Sequence, residues 1–252
     1  MPPPEEALLA QARWSDDQLV GSSFEHHFFV ENLHRDIASL HIYIGGDGRA
    51  FLNRNTVSQD PTPSEHLALQ LALADASPSG FLSRPCYYGG AMFAPCTPGL
   101  WTVDRYSPVV IDSMVAAIEV IAARFPRAEL TLVGYSGGGV IALLTARRVD
   151  AVVRVVTVAA PLDTLAWTTL HAYTPLAAGS NPAEFSAWPT RLEQIHLGGA
   201  DDNKVPLVVL NSFMEKTNGA GAGTRLLVYP GFDHDCCWLQ NWPEILGEIR
   251  VN

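Results

Sequence analysis

The pentapeptide Gly134-Tyr135-Ser136-Gly137-Gly138 constrains the fold of this chain more than any other segment. It follows the apolar run 130–133, which predicts a strand, and it leads into residues 138–147, which predict a helix. A serine between glycines at such a junction indicates a sharp strand-to-helix turn that exposes the hydroxyl group. The pattern therefore predicts that Ser136 is a nucleophile, and the alternative is a glycine-rich turn with an incidental serine.

The same order of strand and helix recurs along the chain. Strands are predicted at residues 24–30, 40–44, 81–88, 130–133, 152–158, 192–197 and 225–229, and helices at 62–76, 107–125, 138–147, after Pro206 and at 240–249. This alternation predicts an α/β protein with a mostly parallel central sheet and helices on both faces. In such sheets the functional residues lie beyond the carboxyl ends of the strands.

The length and composition favour a single domain over residues 1–252. Of these residues, 48% are hydrophobic and 17% are charged, which is enough apolar material for a large core. Residues 161–189 interrupt the alternation with aromatic, small and turn-forming residues. We interpret this segment as a short cap over the site, in preference to a long connection.

Charge and hydropathy exclude some partners. A formal net charge of −10 without a basic run argues against nucleic acid as a partner. The apolar stretches are shorter than the roughly 20 residues that span a bilayer, so we expect no membrane span. Residues 1–11 lack the basic and apolar segments of a signal peptide, and the compartment and the oligomeric state stay open.

A nucleophilic serine needs a base to take its proton and a carboxylate to hold that base. His234 lies in the loop between the strand 225–229 and the last helix, and we take it as the general base. Asp201 and Asp202 follow the strand 192–197 and are both candidates for the acid. Five other histidines are less suited to be the base, because they lie on predicted strands or precede the acid in the sequence: His26, His27, His41, His171 and His196.

Together, the order of the strands, the Ser136 turn, the acidic segment and the histidine loop resemble the α/β-hydrolase superfamily over most of the chain after about residue 20. The acid of that superfamily often lies in a G-x-x-D-x-x-V-P segment, and the resemblance therefore implies Asp202, aligned by Gly199, Val205 and Pro206.

An oxyanion hole needs two preorganised backbone N–H donors. Gly137, directly after the nucleophile, is expected to supply one. The segment 45–48 resembles the superfamily's H-G-x-x turn with glycine in place of histidine, which implies the N–H of Asp47 as the second donor. The alternative is a plain glycine turn.

The four cysteines leave alternatives open. Cys86 and Cys96 enclose a loop that a disulfide would staple, and two buried thiols are an equal alternative. Cys236 and Cys237 are neighbours, and we expect separate thiols because a bond between neighbours needs a strained ring.

A narrower resemblance is to a group of small bacterial hydrolases, some of them lipoprotein-like. It rests on Arg84-Pro85-Cys86-Tyr87, Cys96, Trp101-Thr102, Leu162-Asp163, Trp167-Thr168, Asn181-Pro182 and His234-Asp235-Cys236-Cys237-Trp238. This resemblance implies an exported or periplasmic setting and favours the bridge between Cys86 and Cys96.

These patterns together predict a carboxylic ester hydrolase that forms an acyl-enzyme on Ser136. The expected substrate is a small-molecule or acyl ester, in an apolar pocket near Tyr135, Trp167 and Trp238. An amidase or peptidase with the same residues, and a binding protein without catalysis, are the alternatives. The mechanism needs no cofactor and no metal, because consecutive residues such as Asp233, His234 and Asp235 rarely point at one centre.

Overall fold

A mixed eight-stranded sheet lies at the centre of the molecule, of which the computed structural model describes residues 4–53, 55–218 and 223–251. The strands in these residues are β1 (Ser15–Gly21), β2 (Phe24–Val30), β3 (Ser39–Ile44), β4 (Phe51–Asn53), β5 (Thr56–Val57), β6 (Ser79–Leu82), β7 (Glu129–Tyr135), β8 (Val152–Val158), β9 (Glu193–Gly199) and β10 (Thr224–Tyr229). The order in the sheet is β1-β2-β6-β3-β7-β8-β9-β10, and β4 and β5 form a separate hairpin.

Neighbouring strands from β6 to β10 run parallel, whereas β2 is antiparallel to both β1 and β6. The prediction of a mostly parallel sheet is therefore confirmed. The register aligns Ile44 with Gly134 and Tyr135 with Val158, so β3, β7 and β8 end at the same edge of the sheet. The loops that carry the candidate residues leave from this edge.

Helices cover both faces of the sheet, as the sequence predicts. They are α1 (Pro4–Ala12), α2 (Leu67–Leu73), α3 (Pro108–Arg124), α4 (Gly137–Ala146), α5 (Thr164–Leu170), α6 (Leu207–Lys216) and α7 (Trp238–Val251). Apolar side chains of α3, α4 and α6 share one core, while those of α1, α2 and α7 share the other.

The helix α4 fixes the position of the serine turn. Each of its ten residues is buried, because it packs against β3, β7, β8 and α3. A helix that is apolar on all sides belongs in a core, and each large side chain buried there stabilises the fold by about 1.5–3 kcal/mol. The start of α4, directly after Ser136, therefore has little freedom to move.

Two predicted elements are shorter than the sequence suggests. The strand predicted over 81–88 ends at Leu82, since Pro85 lacks an N–H and the backbone φ angles of Cys86 and Tyr88 are positive. The helix predicted over 62–76 begins only at Leu67, and the residues before it form a loop. Both loops border the candidate site.

The segment 161–189 contains α5 and a short 3₁₀ turn at Pro182–Glu184. Asp163 ties the segment to α6, because its buried carboxylate accepts hydrogen bonds from Ser212 Oγ and Lys216 Nζ, both at 2.6 Å. Within the described residues, no helix is long and apolar enough to cross a membrane.

Both pairs of cysteines are bonded. Cys86 and Cys96 form a disulfide with their Cα atoms 5.7 Å apart. Cys236 and Cys237 are also bonded, so the expectation of separate thiols is wrong for this structure. The peptide between these two residues is cis, and their Cα atoms lie 3.2 Å apart.

Candidate active site

Ser136 lies between the end of β7 and the start of α4, in a backbone conformation that few side chains adopt. Its φ is 51° and its ψ is −126°. The glycines at both ends of the motif are required by packing. A Cβ atom at Gly134 would lie 2.3 Å from the carbonyl oxygen of Gly138, and one at Gly138 would lie 2.2 Å from that of Ile44.

His234 faces this serine from the loop between β10 and α7. Its Nε2 atom lies 3.1 Å from Oγ of Ser136. The loop is held by Oδ1 of Asp233, which accepts the N–H groups of Asp235 and Cys236 at 2.9 and 2.7 Å. The imidazole is therefore within hydrogen-bonding distance of the serine on a loop with its own internal support.

Asp202 contacts the other nitrogen of the imidazole. Its Oδ2 atom lies 2.8 Å from Nδ1 of His234, and its Oδ1 atom accepts the N–H groups of Lys204 and Val205 at 2.8 and 2.7 Å. Asp202 is 3% exposed, whereas the neighbouring Asp201 is exposed to solvent. With the proton on Nδ1, Nε2 is free to accept the proton of the Ser136 hydroxyl.

The loops that carry Asp202 and His234 contact each other directly. The N–H of Asp201 donates to the carbonyl of Phe232 at 2.9 Å, and that of Ala200 donates to Tyr229 at 3.0 Å. A Cβ atom at Gly199 would lie 2.4 Å from the carbonyl oxygen of Phe232. This close contact holds the carboxylate and the imidazole in one unit.

The loop after β3 lies on the other side of Ser136. A Cβ atom at Gly46 would lie 3.1 Å from Cβ of Ser136, so the segment 45–48 is next to the serine. Within the described residues, the N–H groups of Gly137 and Asp47 donate to no protein acceptor. Both groups therefore have a donor hydrogen that no protein acceptor of the described residues binds.

The side chain of Asp47 is the centre of a buried ionic cluster. It accepts hydrogen bonds from Arg84 Nη1 at 2.7 Å, Arg105 Nη1 at 2.9 Å and the Tyr106 hydroxyl at 2.7 Å. Burial by itself would raise the pKa of Asp47, but Arg105 and Arg84 outweigh it and lower that pKa to about 2. Asp47 is therefore a carboxylate at neutral pH.

Comparison with solved structures identifies the fold. An esterase of Pyrococcus furiosus superposes with a TM-score of 0.65 at 13% identity, over 96% of this chain and 91% of that one. The chain has the α/β-hydrolase fold. An α/β serine hydrolase homologue from Coxiella burnetii matches with a TM-score of 0.60 at 14% identity, over 94% of this chain and 96% of that one.

A third solved structure with a similar fold is the acylaminoacyl peptidase of Pyrococcus horikoshii. It matches with a TM-score of 0.60 at 10% identity, over 94% of this chain but only 41% of the peptidase chain. No protein-family model matches the sequence, and no curated protein matches it. At these identities the likeness establishes the α/β-hydrolase fold alone.

A cavity of about 420 Å³ opens beside Ser136 and His234. Its apolar wall consists of Leu67, Ala68, Leu69, Phe81, Tyr88 and Tyr135. Volumes of this order accommodate small organic ligands. Apart from Tyr135, these residues were not singled out by the sequence, since an apolar residue of a helix, strand or loop looks the same in the sequence whether or not it borders a cavity.

The two tryptophans expected in the pocket lie elsewhere, and the described residues 161–189 do not line the cavity. Trp238 starts α7 with its ring fully buried in the core, and its Nε1 donates to the carbonyl of Asp233 at 3.1 Å. Trp167 Nε1 donates to the carbonyl of Lys204 at 2.8 Å. Within the described residues, no group of three or more His, Cys, Asp or Glu side chains is placed to hold a metal ion.

Proposed function

We propose that this protein is a serine hydrolase that cleaves carboxylic esters, with Ser136 as nucleophile, His234 as general base and Asp202 as the orienting acid. The observation that carries the proposal is the chain of two contacts from Ser136 Oγ to His234 Nε2 at 3.1 Å and from His234 Nδ1 to Asp202 Oδ2 at 2.8 Å. Such a chain is the geometry that activates a serine hydroxyl.

The proposed reaction has two stages. Ser136 Oγ attacks the acyl carbon while its proton moves to Nε2 of His234, and that proton then passes to the departing alcohol as the ester bond breaks. A water molecule, deprotonated by His234, then attacks the acyl carbon of the acyl-enzyme. As the bond between that carbon and Ser136 Oγ breaks, the carboxylic acid leaves and His234 returns the proton to Ser136 Oγ. Asp202 stabilises the imidazolium in each stage.

The negative charge on the acyl oxygen would be bound by the N–H groups of Gly137 and Asp47. Gly137 follows Ser136 directly and the segment 45–48 lies next to it, and neither N–H donates to a protein acceptor in the described part of the chain. Donors that are fixed before the reaction stabilise such a charge without reorganisation. The scheme uses proton transfer and backbone donors and calls on no cofactor.

The cavity supports an ester with an apolar group as substrate. Leu67 and Tyr88, which are partly exposed, offer contacts to an alkyl or aromatic chain, and Tyr135 also lines the cavity. An amidase or peptidase is the second candidate, because a peptidase is among the proteins that share the fold. An amide would require protonation of an amine leaving group by the same histidine.

A fluorophosphonate probe and a substrate panel test the proposal. The probe is expected to label Ser136, as mapped by peptide mass spectrometry, and to leave the Ser136→Ala variant unlabelled. Absence of labelling would favour a binding protein. The panel consists of p-nitrophenyl esters of increasing chain length and a matched p-nitroanilide, and faster cleavage of the anilide than of each ester would favour the amidase.

We further propose that residues 1–252 form one domain and that 161–189 is a short cap segment within it. Asp163 holds the segment to α6. Trp167 of α5 donates a hydrogen bond to Lys204, in the loop that carries Asp202. Because the segment does not line the cavity, it would limit only substrates that extend beyond the cavity past Lys204. Deletion of residues 172–180 should broaden the range of alcohol groups that are accepted.

A further inference from the structure

The peptide group between Gly46 and Asp47 is held from one side by a buried arginine. The carbonyl of Gly46 and the N–H of Asp47 belong to the same planar unit, so a contact that fixes one also fixes the other. Arg84 Nη1 donates to this carbonyl at 3.0 Å. In a trans peptide the N–H points in the opposite direction, away from Arg84.

Arg84 itself is tightly fixed. It is 2% exposed, its Nη1 also donates to Oδ1 of Asp47 at 2.7 Å, and its Nη2 donates to the carbonyl of Arg105 at 3.0 Å. The ring of Tyr87 lies 4.8 Å from the guanidinium carbon. A planar guanidinium with these partners has one orientation, and it transmits that orientation to the peptide.

The structure assigns Arg84 as a positioning residue that orients and polarises the N–H of Asp47 as an oxyanion donor. This inference rests on the proposed function. A cation on the Gly46 carbonyl draws electron density from the peptide and makes the N–H at its other end a stronger donor, as in hydrogen-bonded chains in a low-dielectric interior.

The net positive charge of this cluster also favours an oxyanion bound at the N–H of Asp47. Arg84, Arg105 and Asp47 together carry a net charge of about +1 in a buried place beside the serine, because the pKa of Asp47 is far below neutral. The Asp47 carboxylate keeps the two cations tolerable in the interior. It also packs against Gly137, where a Cβ atom would lie 2.2 Å from Oδ1 of Asp47.

Arg105 provides a matched control within the same cluster. It binds the Asp47 carboxylate at 2.9 Å, close to the 2.7 Å of Arg84, but its hydrogen bonds do not include the Gly46 carbonyl. Substitution of either arginine by methionine removes one cation from the same carboxylate and leaves the other in place. The two variants therefore differ in the contact to the peptide.

The test compares Arg84→Met and Arg105→Met by steady-state ester hydrolysis and by inhibition with a trifluoromethyl ketone, whose serine adduct carries an oxyanion. We expect Arg84→Met to lower kcat by about tenfold to a hundredfold and to weaken the ketone in parallel, with KM changed by less than about threefold. In Arg105→Met, the fall in kcat and the weakening of the ketone should each be smaller than in Arg84→Met by a factor of at least about five. Equal losses, an effect on KM alone, or no effect would overturn the inference.

A measurement on the wild-type protein covers the case in which Arg84→Met fails to fold. In a ¹⁵N-labelled sample, formation of the ketone adduct should move the amide protons of Asp47 and Gly137 downfield, because each donates to the oxyanion. An unmoved Asp47 amide in a formed adduct would overturn the role of Arg84 while leaving the serine hydrolase intact. A wild-type protein that neither reacts with the fluorophosphonate nor hydrolyses esters would instead overturn both proposals.

Discussion

The hydroxyl group of Tyr135, the residue before Ser136, donates a hydrogen bond of 2.8 Å to Oδ1 of Asp235, the residue after His234. The same hydroxyl lies 3.2 Å from the carbonyl oxygen of His234, and Lys204 Nζ donates to Oδ2 of Asp235 at 2.6 Å. Burial and the Asp235 carboxylate raise the pKa of Tyr135 well above its ordinary value, so the phenol stays a donor. The serine turn and the histidine loop are thus joined beside the contact from Ser136 to His234.

Loss of this connection should slow the reaction without weakening substrate binding. Tyr135→Phe keeps the ring in the cavity but removes one of the contacts that hold the histidine loop, and we expect kcat to fall by about threefold to tenfold with little change in KM. Tyr229→Phe is the matched control, since its hydroxyl donates to Glu248 at the same distance of 2.8 Å. Equal kinetics of the two variants would contradict the role of Tyr135.

Removal of the nucleophile should abolish hydrolysis and leave the fold intact. Ser136→Ala is expected to lower kcat by a factor of about 10³ or more, because the remaining groups have no nucleophile to activate. Ser64→Ala is the control, because this exposed serine lines the same cavity and should keep its activity. Circular dichroism melts should match the wild type, and nearly unchanged turnover of Ser136→Ala would refute the assignment.

The two adjacent acids should differ strongly. Asp202→Asn removes the charge next to His234 Nδ1 and should lower kcat by a factor of about 10³ to 10⁴. Asp201→Asn changes an exposed side chain and should have little effect. Both variants need a thermal melt, and an inactive but folded Asp201→Asn would place the acid one residue earlier.

The buried His196 should make the protein less stable in acid. Burial lowers the pKa of His196 from 6.5 to about 3. Between these values the unfolded chain binds a proton that the folded chain does not, so the free energy of unfolding falls by about 1.4 kcal/mol per pH unit as the pH decreases. Urea unfolding of His196→Phe between pH 8 and pH 4.5 should show a smaller loss than the wild type, and an unchanged slope would contradict this view.

Chelation should not affect the proposed reaction, since a serine and a histidine carry it out. Dialysis against EDTA should leave the rate of ester hydrolysis unchanged, with the rate in buffer alone as the control. If EDTA removed the activity, zinc restored it and Ser136→Ala stayed active, a metal-activated water would replace the serine mechanism.

Local patterns predicted the elements that carry the site. The run 152–158, which is β-branched except for Arg154, coincides with β8, because β-branched residues favour a strand that is largely buried. The helix predicted at 107–125 and the strand-to-helix junction at Ser136 are also present. Since the strands are parallel, the loops after β7, β9 and β10 leave from one edge of the sheet, so the strand order alone brings the three candidate loops together.

The sequence could not predict which way a side chain points, nor which residues from distant parts of the chain contact it. Trp238 follows the histidine loop closely, but as the first residue of α7 its ring turns into the core. The partners of Asp47 are 37 and 58 residues away, at Arg84 and Arg105. Ion pairs at such separations form only when the folded sheet brings the loops together, and they leave no periodic pattern in the sequence.

The long chain separations within the site affect how activity returns when the protein refolds. Ser136 and His234 are 98 residues apart, and Asp202 and His234 are 32 apart. These contacts form only when β7, β8, β9 and β10 are paired side by side in the sheet, with β8 between β7 and β9. A chain fragment that ends before β10 lacks His234, and ester hydrolysis during refolding should therefore lag behind the helical signal and report the docking of the last strand.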